Sequence, residues 1–271
     1  MDSPFTVERV SSLDAPDLLP YRTLRRPLEH FQKGLFVAEG ERVVFRLLAS
    51  GLVVRSLLLT PSWFAMVSSA YRGRPETPIK VYLAEAALLR EIVGYHIHQG
   101  IMAVGSVPRE PSLDSLPQPH LLVALDGLTQ AENVGVIIRS CAGFGVDAVL
   151  SGENSSSPYL RRAVRNSMGG VFSLKVIHTG PLNDVLGTLR KKSATRIIAA
   201  DPHAATTLPE ARFTGNVCLV AGNEDTGISA SLLDLADQRV GIPMEPGTDS
   251  LNVANAVAVF LYEARRQRLG A

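Results

Sequence analysis

The spacing of hydrophobic positions changes along this chain, and each change marks an element. In "AEGERVVFRLLASG", Val43, Val44, Leu47 and Leu48 recur at helical spacing, and Gly51 stands where a helix should end. "LVVRSLLLT" reads as a strand closed by Pro61, "IKVYLA" as another strand, "EAALLREIVG" as a short helix and "GIMAVGSV" as a last strand. This predicts a small N-terminal α/β/α domain over residues 1–107, with residues 1–30 as an added segment. Residues 108–120, within "VPREPSLDSLPQPH", hold Pro108, Pro111, Pro117 and Pro119. Proline fixes φ and removes a backbone donor, so this stretch is expected to be an extended linker outside regular structure.

From residue 121 the rhythm is regular. "LLVALDG" is a continuous apolar strand, the mark of a parallel sheet covered on both faces. Helix "NVGVIIRSCAGFG" follows, with Asn133 as its N-cap and Gly145 past its end. Strands "DAVLSG", "FSLKVI", "RIIAAD", "NVCLVAG" and "RVGIPM" then alternate with helices "PYLRRAVRNSMG", "LNDVLGTLRKK", "SASLLDLAD" and residues 252–268. Alternation of this kind predicts a doubly wound parallel α/β domain over residues 121–271.

Composition narrows the class. With 46% hydrophobic and 20% charged residues, the 271-residue chain has enough apolar material for a real core. No apolar run approaches the ~18 residues of a membrane helix, and "MDSPFTVERV" has neither the basic nor the apolar part of a secretory signal. Cys141 and Cys218, isolated in apolar runs, read as buried free thiols, and a cytoplasmic protein is expected. The net charge is +1, and residues 1–110 (13 basic, 11 acidic) differ little from residues 111–271 (14 and 15). Any polyanion site must therefore be a local patch.

In open α/β sheets, ligands bind beyond the carboxyl ends of the strands. Three such ends are polar or glycine-rich: "LDGLTQAENVGVIIR", "AGNEDTGIS" and "IPMEPGTDSLN". None is a dinucleotide fingerprint, and "GFGVDA" falls at the end of a helix rather than its start. There is no ATP phosphate loop, no nucleophile elbow, and no metal-ligand spacing beyond the pair His96 and His98, which lacks a third ligand. No metal is expected.

Taken in order, the three loops resemble the three motifs of the SpoU/TrmH family of RNA ribose methyltransferases, within the SPOUT superfamily. Asn133, Gly135 and Arg139 match N-x-G-x-x-x-R; Gly222, Glu224, Gly227, Ile228 and Ser229 match the second motif; Ile242, Pro243, Met244, Ser250, Leu251, Asn252 and Val253 match the third. The resemblance covers residues 121–268. A weaker likeness, resting on "FVAEGERVVFRLLASG", relates the N-terminal part to a substrate-binding domain of the ribosomal protein L30e type.

The resemblance implies a C-terminal domain with a deep trefoil knot, S-adenosyl-L-methionine held in that knot, a homodimer formed through this domain, and methylation of a ribose 2′-hydroxyl. The substrate implied is structured RNA, ribosomal RNA before transfer RNA. It places Ala200, Gly222, Ile242, Met244 and Leu251 around the cofactor, and makes Arg139, Asn133, Glu224, Ser250 and Asn252 the catalytic set. Arg139 is either a perturbed base or a group that binds the neighbouring phosphate; a charged guanidinium accepts no hydrogen bond. Arg165, in "RRAVRNSMGG", and Arg25 are candidate RNA contacts. Two alternatives are an RNA-binding or ribosome-assembly factor that has lost catalysis, and methylation of a base rather than a ribose.

Overall fold

The computed structural model describes residues 3–24, 26–73, 77–93, 100–247 and 250–270. The first elements in chain order are β1 (Phe5–Arg9), α1 (Leu19–Arg22), α2 (Pro27–Gln32), β2 (Leu35–Glu39), α3 (Glu41–Ala49), β3 (Val54–Leu59), α4 (Pro61–Ala70), β4 (Ile79–Leu83), α5 (Ala86–Val93) and β5 (Ile101–Ser106). There follow β6 (Leu121–Asp126), α6 (Ala131–Phe144), β7 (Ala148–Ser151), α7 (Arg161–Asn166), β8 (Lys175–His178), α8 (Leu182–Ser193), β9 (Arg196–Ala200) and β10 (Thr206–Thr207). The last are β11 (Val217–Gly222), α9 (Ala230–Leu235), β12 (Gln238–Gly241) and α10 (Val253–Leu269). They divide into two units, Met1–Arg109 with Tyr159–Phe172, and Glu110–Pro158 with Ser173–Ala271. Residues 159–172, expected in the C-terminal domain, thus cluster with the first unit.

The first unit holds a mixed five-stranded sheet in the order β1-β4-β3-β5-β2. β1, β4 and β3 are parallel, and β5 runs antiparallel to both β3 and β2. Residues from this first segment are built into the unit. β1 pairs with β4 from Phe5↔Ile79 to Arg9↔Leu83, and Leu13, Leu18, Tyr21 and Leu24 join Leu58, Tyr82 and Met102 in the core. Tyr21 is fully buried, and its hydroxyl lies 2.8 Å from Ser56 Oγ, so the polar end is satisfied. Pro61 does more than close a strand: it opens α4 at the first helical position, where a missing N–H costs nothing. His96 and His98 lie outside the described residues.

The second unit is a seven-stranded, all-parallel sheet in the order β10-β12-β9-β11-β6-β7-β8. The continuous apolar run of β6 is explained by its place, paired to β11 on one side and β7 on the other. On one face, Leu122, Ala124, Leu150, Ile197 and Val220 pack against Leu182, Leu186 and Leu189 of α8 and Leu232 of α9. Truncating a fully buried leucine such as Leu186 to alanine would cost about 2–5 kcal/mol. The apolar sides of α6 (Val134, Ile137, Ile138) and α10 (Val257, Phe260, Leu261) are buried as well, and these two helices pack on each other. α6 ends in the left-handed Gly145, φ 75°, a conformation that side chains with a Cβ resist.

Two local expectations change. The linker contains one 3-10 turn, Leu113–Ser115, which Ser112 caps by accepting from Asp114 N, while Leu113 and Leu116 pack on the core. The strand read in "FSLKVI" begins only at Lys175, because Gly170–Ser173 is a further 3-10 turn.

Candidate active site

The strand sequence reverses direction across the sheet between β6 and β11: β7 and β8 continue to one edge, β9, β12 and β10 to the other. A crevice forms at such a switch, beyond the carboxyl ends of the strands. Here it is a cavity of about 770 Å³ at the ends of β9, β11 and β12. Ala200, Gly222, Ile242, Met244, Leu251, Glu224, Ser250 and Asn252 all line it, so eight of the residues singled out in the sequence converge. Leu251 is 38% exposed, an apolar side chain left open at the mouth rather than packed in the core.

Backbone geometry makes the cradle. A Cβ built on Gly222 would lie 2.4 Å from both Gly227 C and Ile228 N, so the loop after β11 folds back against a position only glycine can occupy. Asn223 and Gly227 close that loop with mutual backbone bonds of 3.0 Å. Asn223 Oδ1 accepts from the backbone N–H groups of Asp225 and Thr226, and its Nδ2 donates to Gly127 O at 2.7 Å, fastening the second polar loop to the first. Asn223 was not singled out in the sequence; an asparagine bonding the backbone two residues on, with a glycine closing the turn, was the available signal. Asp201 and His203 also line the cavity, and Asp201 makes a similar turn, its Oδ1 accepting from His203 N–H at 2.9 Å.

Three side chains form a directed relay. Ala254 N–H donates to Asn252 Oδ1 at 2.9 Å, Asn252 Nδ2 donates to Asn133 Oδ1 at 3.2 Å, and Asn133 Nδ2 donates to the Glu224 carboxylate. Asn133 Nδ2 also donates to Gln130 Oε1 at 3.5 Å. Each amide thus accepts through its oxygen and donates through its nitrogen, which fixes its orientation. The expected capping role moves accordingly. Helix α6 starts at Ala131 with Gln130 before it, so Asn133 lies inside the first turn, and Asn252 is the asparagine that caps a helix, α10.

Arg139 does not line the cavity. It is exposed on α6, about 120° around the helix from Asn133, and makes no hydrogen bond or ion pair among the described residues. Arg165 belongs to the first unit, and Arg25 lies outside the described residues.

The chemistry available is that of positioning. Burial pushes the Cys218 thiol up to about 12 and raises Cys141 too, so neither is a thiolate nucleophile. Among the described residues no group of His, Cys, Asp and Glu could hold a metal ion. A Ser–His–acid row exists elsewhere: Ser157 Oγ and His178 Nε2 are 2.9 Å apart, and His178 Nδ1 and Glu110 Oε1 2.6 Å. Ser157 is buried and offers no attacking hydroxyl; the row fastens the start of the linker to its unit. No helix among the described residues is long and apolar enough to cross a membrane.

The parallel sheet and its cavity define an α/β enzyme domain with room for a nucleotide-sized ligand at its strand ends. The chain belongs to the SpoU rRNA methylase family, whose model matches residues 120–262; it is an RNA methyltransferase. It is 37% identical over 269 residues to an uncharacterized tRNA/rRNA methyltransferase of Mycobacterium tuberculosis, covering 96% of this chain and 92% of that one. It is 34% identical over 199 residues to the 23S rRNA (guanosine-2′-O-)-methyltransferase RlmB of Acinetobacter baylyi, covering 71% and 80%. Among solved structures it is similar to the SpoU methyltransferase AviRb from Streptomyces viridochromogenes in complex with the cofactor AdoMet. There the TM-score is 0.79 at 26% identity, covering 93% of this chain and 98% of that one.

Proposed function

We propose that this enzyme transfers a methyl group from S-adenosyl-L-methionine to a ribose 2′-hydroxyl of structured RNA, ribosomal RNA before transfer RNA, and works as a homodimer. The observation that carries the reading is the relay from Asn252 through Asn133 to Glu224, which ties all three polar loops together at the cavity. The relatives support it: the cofactor is bound in the AviRb structure, and the Acinetobacter enzyme is named for ribose methylation of 23S rRNA.

The cavity fits the cofactor. Its volume lies within the usual range for small-molecule sites, and the Gly222 cradle leaves backbone groups free to face an adenine edge. Ala200, Gly222, Ile242, Met244 and Leu251 would hold it. When bound, it supplies an electrophilic methyl group on a sulfonium. The chain's own work is to orient the ribose, exclude water and receive a proton. A charged guanidinium has no lone pair for the hydroxyl proton, so Arg139, which lies outside the cavity lining, would serve by gripping a phosphate next to the ribose rather than by meeting the hydroxyl itself. Glu224, the anion at the end of the relay, has the lone pairs to accept that proton. Asn252 holds the third loop to the first, and Ser250 lines the cavity beside it.

The dimer reading rests on an exposed apolar strip along α6 and α10: Val136 (37%), Val259 (39%) and Tyr262 (61%), with Asn255 among them. The deciding experiment is calorimetry with S-adenosyl-L-methionine, followed by mass spectrometry of nucleosides from RNA incubated with enzyme and cofactor. A 2′-O-methylnucleoside is expected. A base methyl would refute the ribose assignment, and failure to bind the cofactor would favour a silent RNA-binding factor.

A further inference from the structure

We infer that Asp201 recognises the ribose of the methyl donor, its carboxylate accepting from the 2′- and 3′-hydroxyls of the adenosyl group. The inference deepens the reading above and rests on S-adenosyl-L-methionine being the occupant of the cavity.

Three carboxylates line that cavity: Asp201, Glu224 and Asp225. Glu224 is engaged by Asn133, and Asp225 is exposed on the loop after β11. Asp201 is half-buried and directly follows Ala200, at the carboxyl end of β9. β9 lies between β11, which ends at Gly222, and β12, which leads to Ile242. Adjacent strands are about 4.8 Å apart, so Asp201 stands one strand away from the Gly222 cradle on which an adenine edge would rest. A ribose, joined to its adenine by a single bond, spans that distance.

The carboxylate is held in place and left open. Asp201 N–H donates to Val240 O at 3.0 Å, and Asp201 O accepts from Ala204 N–H at 3.2 Å, which pins the backbone. Oδ1 accepts from His203 N–H at 2.9 Å, which fixes the side chain in a local turn. Oδ2 makes no hydrogen bond or ion pair among the described residues. A vicinal diol supplies two O–H donors, and a carboxylate has lone pairs for both. An acid serves ribose hydroxyls in the same way in doubly wound nucleotide sites. The charge of the lining agrees. Against the three acids stand the exposed His203 and Arg239, whose guanidinium lies 3.7 Å from Asp234. Such a lining repels a phosphate and suits an adenosine carried on a sulfonium.

The test is titration calorimetry with S-adenosyl-L-homocysteine, whose sulfur is neutral, and with its 2′-deoxy and 3′-deoxy analogues. Wild type should bind the parent compound about tenfold or more tightly than either analogue, as expected for a hydrogen bond to a charged group. Asp201→Asn keeps an oxygen for the His203 turn and loses the charged acceptor. It should bind the parent about tenfold or more weakly and hardly distinguish the three compounds. His203→Ala keeps the backbone N–H that orients the acid and should retain the wild-type discrimination. A merely structural role would weaken all three compounds alike in Asp201→Asn and leave their ratios unchanged. That result, or a wild type indifferent to the hydroxyls, would overturn the assignment. So would an Asp201→Asn enzyme that loses affinity for S-adenosyl-L-methionine but not for S-adenosyl-L-homocysteine, which would put the carboxylate at the sulfonium. In each of these cases cofactor binding by wild type leaves the methyltransferase reading standing. A wild-type enzyme that binds neither compound would overturn both.

Discussion

Asn252 Nδ2 donates to Asn133 Oδ1 at 3.2 Å, joining residues 119 positions apart, and the same Asn252 caps helix α10 through its oxygen. One amide thus does two jobs with two different atoms, and a substitution can separate them. Asn252→Asp keeps the capping oxygen but loses the N–H that Asn133 accepts. The variant should melt within a few degrees of wild type, because Asp and Asn cap equally well. Its methyl transfer should fall by about 10² through misplacement of the relay. Thermal melts beside single-turnover rates check this; a full rate would remove Asn252 from the relay.

Gly222→Ala places a methyl 2.4 Å from the backbone of Gly227 and Ile228, where no flexible side chain can yield. The loop must move away and reshape the cavity. Titration calorimetry should show cofactor affinity reduced about tenfold or more, equivalent to at least ~1.4 kcal/mol, with the circular dichroism spectrum unchanged.

Arg139→Ala removes an exposed side chain with no partner among the described residues, so stability should change by no more than about 0.5 kcal/mol. Methyl transfer should be abolished while cofactor binding persists. An Arg139→Ala enzyme that methylates RNA at the normal rate would show that this arginine does not position the ribose.

His120 is 1% exposed, with Nε2 2.8 Å from Thr195 Oγ1 and Nδ1 3.0 Å from Pro117 O. Burial holds its imidazole below the ordinary value. The unfolded chain then binds the proton more readily, so the neutral side chain's contribution is full above about pH 6.5, the usual histidine value. It is lost as pH falls from there through the lowered folded value. Urea unfolding of wild type and His120→Gln at pH 7.5 and 5.5 should show a smaller acid loss in the variant.

Much of the second unit was readable because its chemistry needs special backbone. A glycine where a Cβ cannot fit, and amides at strand ends, stand out against apolar runs such as "LLVAL". What could not be read was set by distant partners. Asn133 looks like a cap because helix ends blur by a residue or two, and its real partner, Glu224, is 91 residues away. β1 escaped notice because a five-residue edge strand with one buried position gives no pattern. Pro61 carries either meaning, strand end or helix start, and only the following turn decides between them. The membership of residues 159–172 in the first unit depends on Glu39 and Phe36, side chains that pair with nothing local.

The relay also has a consequence for synthesis. Its members come from positions 133, 224 and 252, and the helix that the last one caps runs on to Leu269. A nascent chain that has already extruded the first unit and six strands of the second still has no closed cavity wall. The pocket comes into being only once Asn252 and the helix it caps have been added, so a product terminated before them would be born without a place for its methyl donor.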